Sequence, residues 1–229
     1  MALSEAEVAR YARQLLLPGF GPATQEFLRA ARVHVVGAGE VAGPALLYLA
    51  TAGIGTLYLD DALDVGVEDA AAWIYGAEQV GEPRLLAAIT SLRAATSFAR
   101  LRAYATGADP TAALIGTGAP GLAREAAERA RAAGIPHVVA VADGDGGEVV
   151  VVPPGGPCFA CASRPGSGAP ARPGAAAAIG ALAATELLLL VAGAAQDARG
   201  RRTDLVLGQP VTRPTSRVPG CACTQGRAV

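Results

Sequence analysis

The feature that most constrains this chain is a glycine turn set between a β-branched run and an apolar stretch. Val33-His-Val-Val36 reads as a buried strand, Gly37-Ala38-Gly39-Glu40-Val41-Ala42 as a G-x-G-x-x-A turn, and Val41 to Thr51 as a helix stopped by Gly53. Thr56-Leu-Tyr-Leu59 is the next strand, ending in Asp60-Asp61. Strand, glycine turn, helix and strand form a βαβ unit, which requires a parallel sheet. Gly37 and Gly39 would let backbone N–H groups at a helix start approach phosphate, and Asp60 would suit ribose hydroxyls. The blander alternative is that these glycines only permit close helix–strand packing. Glu40 opposes a phosphate: its carboxylate favours the helix dipole, but two like charges about 4 Å apart cost about 4 kcal/mol at an effective dielectric near 20.

The 229 residues are 52% hydrophobic and 17% charged, enough to bury a core. They read as one domain, 1–229, with N-terminal helices over 1–30, a nucleotide-binding-type half over 31–120, and a second half over 121–229. A net charge of −1 gives no basic surface for nucleic acid or an anionic membrane. All basic residues are Arg, which excludes Schiff-base lysine and phosphate-loop lysine chemistry.

Further elements follow from pattern. Ser4 to Leu16 is a helix with a Ser4/Glu7 capping box, and Ala23 to Ala30 a second short helix. Pro83 to Ser97 and Gly121 to Ala133 are helices; Leu101–Ala105, Ala112–Gly116, His137–Ala142 and Val149–Val152 are strands, the last two joined by the turn Asp143–Gly147. Pro165 to Gly174 is a crossover loop, and Asp204 to Leu207 a last strand before a Pro/Arg/Cys tail. The apolar run Ala175–Ala195 contains Glu186 and reads as a buried core helix rather than a membrane span. With an acidic opening unlike a secretory leader, a cytoplasmic protein is expected.

Cys158-Phe-Ala-Cys161 and Cys221-Ala-Cys223 hold all four cysteines. C-x-x-C is a strong half-site for thiolate zinc; C-x-C is tighter than the usual second half. Four thiolates would close a structural site. Disulfides or free thiols are the alternatives.

In order along the chain, these residues resemble the ThiF/MoeB/HesA family, bacterial relatives of ubiquitin-activating enzymes. The resemblance rests on Leu3-Ser4 with Arg10-Tyr-Ala-Arg-Gln14, the glycine turn, Ala52-Gly-Ile-Gly55 leading to Asp60, and Val80-Gly-Glu-Pro-Arg84. It continues through Pro157-Cys-Phe-Ala-Cys161, Ile179-Gly180…Glu186 and Pro219-Gly-Cys-Ala-Cys223. It implies a homodimeric, Rossmann-like α/β domain, its mostly parallel sheet flanked by helices, with a C-terminal structural zinc. Active members use Mg-ATP to adenylate the C-terminus of a ubiquitin-like sulfur carrier or a peptide. Carried over, Gly37, Gly39 and Asp60 match nucleotide-binding positions. Arg13 matches an arginine reaching the neighbouring subunit's ATP, and Arg84 stands at a phosphate-binding lysine.

Departures from the family pattern are concentrated in the same site. A central glycine is Glu40, an Asn-x-x-Arg-Gln stretch becomes Glu68-Asp-Ala-Ala-Ala72, and the magnesium-binding aspartate falls at Gly118. Losing a transition-state arginine costs orders of magnitude in rate. The expectation is a catalytically weak or inactive relative, without effective Mg-ATP chemistry, that binds a carrier protein, a peptide or an active paralogue. The alternatives are an active ATP-dependent adenylyltransferase and, less strongly, an NAD-dependent oxidoreductase. Trp73 and Tyr75 are expected to pack into the altered nucleotide space, the alternative being a partner-binding patch, and His34 to be a satisfied core residue.

Overall fold

The computed structural model describes residues 3–71, 74–193, 200–206 and 209–224. Ala72, Trp73, Ala194, Ala195 and Leu207, which the sequence reading invoked, lie outside them. Helix α1 (Glu5–Leu15) begins at Ser4, whose hydroxyl accepts from the Glu7 N–H while the Glu7 side chain accepts from the Ser4 N–H. Helix α2 is Pro22–Ala30. The expected βαβ unit follows as β1 (Arg32–Val36), α3 (Ala42–Ala52) and β2 (Thr56–Asp60), with Gly53 left-handed at the end of α3. Then come α4 (Arg84–Ala95), β3 (Arg100–Ala103), β4 (Ala112–Ile115) and α5 (Pro120–Ala132). The second half holds β5 (His137–Asp143), β6 (Gly146–Val152), α6 (Phe159–Ala162), α7 (Pro173–Val191), β7 (Arg201–Val206) and β8 (Gln209–Pro214).

One eight-stranded sheet runs in the order β3-β2-β1-β4-β5-β6-β7-β8. Strands β3, β2, β1, β4 and β5 are mutually parallel, and β6, β7 and β8 continue antiparallel. The fold class is therefore Rossmann-like α/β. Two expectations need correction. The β5–β6 turn is only Gly144-Asp145, because Gly146 and Gly147 already pair with Asp143 and Ala142. The stretch assigned to the tail contains β8, all of whose residues are exposed, so no burial alternation signalled it.

The sheet is packed on both faces. On one, Val33, Val35, Leu57, Leu59 and Leu114 meet Leu46 and Leu49 of α3 and Ile179 and Leu187 of α7. Each such fully buried aliphatic side chain contributes roughly 1.5–3 kcal/mol. On the other, Ile115, Val139, Val150 and Val152 meet Ala123, Ala126 and Ala127 of α5 and Phe159 of α6. Helix α7 is long and apolar enough to cross a membrane by length and composition. Here it packs on the sheet and α3, with Glu186 paired to Arg201. Gly180 allows that approach: a Cβ there would lie 2.1 Å from the Val41 carbonyl oxygen. The β3-to-β4 crossover, residues 104–111, is eight residues without a helix, and the Tyr104 ring stacks on His34 at 3.7 Å.

Candidate functional site

Strand order reverses between β1 and β4, and the glycine turn sits at that switch point, beyond the carboxyl end of β1. Open α/β sheets bind ligands in this crevice. Gly37 has φ +94° and its Cα faces Gly116 so closely that a Cβ would meet the Gly116 oxygen at 2.6 Å. Only glycine fits there. The turn is held from β2: the Gly37 N–H donates to the Asp60 carbonyl at 2.9 Å, and the Ala38 N–H donates to Asp61 Oδ2 at 2.7 Å. Asp61, not Asp60, thus has its carboxylate on the turn. The Asp60-Asp61 doublet was the available signal, but strand alternation alone did not say which acid turns inward.

Arg84 reaches the turn from the first residue of α4. Its Nε and Nη2 donate to Asp69 Oδ2 at 2.8 and 2.6 Å, and Nη1 lies 3.8 Å from Asp61. Asp69 is 1% exposed and also accepts from the Gly66 N–H at 2.8 Å. The pair lies directly over Gly39, where a Cβ would meet Arg84 Nη1 at 3.2 Å and Asp69 Oδ1 at 3.3 Å. Glu40 is half-buried beside them; burial, reinforced by Asp69 and opposed by Arg84, pushes its carboxyl above the usual range. Tyr75 is buried, and its hydroxyl donates to the Ala38 carbonyl at 2.8 Å and lies 3.3 Å from the Arg84 carbonyl. That matches the packing role expected of Tyr75. Position 118 is glycine with open space around it, and no carboxylate substitutes there.

Asp60 points the other way. Its carboxylate is 44% exposed and sits 3.1 Å from His34 Nε2, whose ring is sandwiched against Tyr104. Burial holds His34 below the ordinary histidine range although Asp60 pulls it upward. His34 is therefore satisfied, as expected, but by the candidate ribose acid rather than by core packing alone. At the N-terminus, Gln14 and Gln25 both donate to the Ala52 carbonyl, at 2.9 and 3.0 Å, fixing α1 and α2 on the end of α3. Arg13 is exposed on the last turn of α1, away from the glycine turn of its own chain.

The four cysteines converge although more than fifty residues separate the pairs. Cys158 and Cys161 Sγ are 3.7 Å apart, Cys158 and Cys221 3.6 Å, and Cys161 and Cys223 3.5 Å, all four lying within 4.8 Å of one another. Disulfide sulfurs are about 2.05 Å apart, so these are free thiols. Sulfurs tetrahedral about one ion at about 2.3 Å lie about 3.8 Å apart, which this spacing approaches. The Val218 N–H donates to Cys161 Sγ at 3.3 Å. Burial pushes Cys158 up to about 12, while the Cys223 backbone N–H lowers Cys221 to about 7. The cluster could hold a metal ion and ties residues 221–223 to the segment after β6.

A profile of the ThiF family matches residues 11–118. The chain is 42% identical over 105 residues to a probable adenylyltransferase/sulfurtransferase MoeZ of Mycobacterium tuberculosis, covering 45% of this chain and 26% of that protein. It is 40% identical over 105 residues to a sulfur carrier protein adenylyltransferase of Thermus thermophilus, covering 45% and 39%. HesA, heterocyst, of Trichormus variabilis is 41% identical over 93 residues, covering 40% and 35%. The matched segment thus spans only 26 to 39% of these relatives' lengths. Among solved structures, Escherichia coli MccB with MccA superposes with a TM-score of 0.81 at 18% identity, covering 97% of this chain and 75% of that one. PaaA superposes with a TM-score of 0.72 at 22% identity, covering 93% and 74%. These likenesses establish the shared fold. Taken with the glycine turn and the ordered motifs, the sequence matches identify residues 11–118 as a ThiF-family segment.

Proposed function

We propose that this chain is an adenylyltransferase domain that acts on the C-terminal carboxylate of a sulfur-carrier protein or a peptide. The observation that carries the reading is the glycine turn at the β1/β4 switch point, backed by Asp60 and Asp61, inside the segment shared with proteins named adenylyltransferases. Those names also favour ATP over NAD at the turn. In such a reaction a carboxylate oxygen attacks the α-phosphorus and pyrophosphate leaves. Backbone N–H groups at the turn and the Arg84 guanidinium would orient the phosphates, and Asp60 would hold the ribose. The acids at the turn do not fit a magnesium site: Asp61 and Asp69 are both turned on Arg84, and position 118 offers no ligand. No step is therefore assigned to magnesium.

That misfit, with Arg84 already paired, supports a second reading in which the domain adenylates weakly or not at all and only binds the carrier, the peptide or a paralogue. ATP–pyrophosphate exchange with candidate carriers and tail peptides separates the two. Exchange abolished by Asp60→Ala supports the enzyme. Tail binding by calorimetry without exchange selects the binding-only reading.

The cysteine cluster is assigned to a structural zinc, whose four thiolates would leave no open position for catalysis. The domain is further assigned a homodimeric state in a reducing cytoplasm. Supporting the dimer, the exposed Tyr48 of α3 borders a cavity of about 270 Å³ that is also lined by Gln14, Thr51, Ala181, Thr185 and Leu188. In a dimer, Arg13 would serve the neighbouring subunit.

A further inference from the structure

The cradle over the glycine turn is filled by the chain itself. The direction a side chain would take from Gly39 runs into Arg84 Nη1 and Asp69 Oδ1 at 3.2 and 3.3 Å. Asp69 presents one carboxylate oxygen, Oδ2, to both Nε and Nη2 of the guanidinium, so an oxyanion already occupies the donors with which arginine also grips phosphate. Its remaining donor is the Gly66 N–H. Asp61 likewise takes the Ala38 N–H, a group the turn would otherwise offer an anion.

The segment carrying Asp69 is stapled to the chain before α4 at its base. At the base, the Val65 N–H donates to Glu82 at 2.8 Å, the Gly81 N–H to Val65 at 2.9 Å and the Arg84 N–H to Leu63 at 2.9 Å. At the tip, a single turn of 3₁₀ helix over Asp69–Ala71 holds the carboxylate in place.

Resting on the nucleotide reading above, we infer that Asp69 is a built-in stand-in for a nucleotide phosphate: it occupies Arg84 over Gly39 and sets how tightly the site accepts a phosphate-bearing ligand. A phosphate entering here has to displace an anionic oxygen already seated on Arg84. An uncharged nucleoside makes no such demand. Asp69 thus discriminates among ligands by their phosphates, through Arg84, without touching base or ribose.

The test measures binding of ATP, AMP and adenosine by calorimetry to the wild-type chain, to Asp69→Asn, to Asp69→Asn/Arg84→Ala and to Glu78→Gln, an exposed acid of the same segment. Asn keeps the shape and an acceptor for the Gly66 N–H, and thermal melting checks that each variant folds; Asp69→Ser replaces any that does not. The expected result is ATP binding about ten- to hundredfold tighter in Asp69→Asn, the span of one charged hydrogen-bonding partner. Adenosine affinity stays unchanged, Glu78→Gln behaves as wild type, and the gain disappears when Arg84 is also removed. Equal ATP affinity in wild type and Asp69→Asn overturns the inference while leaving the nucleotide reading intact. A gain of the same size for adenosine also overturns it, because that signals mere loosening of the segment. Failure of every form to bind any of the three ligands overturns the nucleotide reading, and this inference with it.

Discussion

The cysteine cluster and the glycine-turn cradle are both polar clusters assembled by segments that meet beyond the sheet, yet they are satisfied in opposite ways. The four thiols have one another, at 3.5 to 3.7 Å, with backbone N–H groups on Cys158, Cys161 and Cys221. None of them neutralises the charge that thiolates would carry, so the arrangement calls for an external cation. In the cradle, Arg84 meets Asp69 and Asp61, and both acids also accept backbone N–H groups. That cluster is complete within the chain. A site's demand for a ligand is read from what its own groups leave unmet, not from the number of polar groups it gathers.

The largest expected effect tests the first cluster. Replacing Cys158 with Ser, or stripping metal with a strong chelator, should remove about one zinc per chain and lower stability on the order of several kcal/mol. Metal analysis paired with calorimetry checks this, and a thermal midpoint indifferent to chelation breaks the contrast. Next is Gly37→Val. A β-branched residue at φ +94° with the Gly116 oxygen 2.6 Å from its Cβ should cost about 1–3 kcal/mol, read from denaturant midpoints. Tyr75→Phe should cost about 1–2 kcal/mol by leaving the Ala38 carbonyl without its donor. A neutral result would mean that the cradle is not held shut by this hydroxyl.

The smallest effect concerns pH. Burial lowers His34 and His137 below the ordinary histidine value of about 6.5, so the folded chain binds fewer protons than the unfolded chain just below that pH. Stability should therefore fall as pH drops below about 6.5. His137→Asn should flatten that slope, as followed by urea midpoints at each pH.

The glycine turn and C-x-x-C were legible because each imposes local geometry: Gly37 through its positive φ, Cys158 and Cys161 through their spacing. The alternation of Val33, Val35, Leu57 and Leu59 likewise announced buried strands. Asp69 was legible only as an added acid in the segment between Asp60 and Arg84. Its pairing with Arg84 spans fifteen residues and depends on how that segment folds back over Gly39. Asp61 escaped because two adjacent acids at a strand end point in opposite directions, and sequence does not assign the directions. Strand β8 escaped because exposure on both sides erases the two-residue period.

Strand β8 also determines how the sheet ends. Proline has no amide proton, so Pro210 and Pro214 belong on the side away from β7. Of positions 210, 212 and 214, which share that side, only Thr212 retains an N–H to offer. The β8 border is thus a blunted one, offering a further strand a single amide donor on that side.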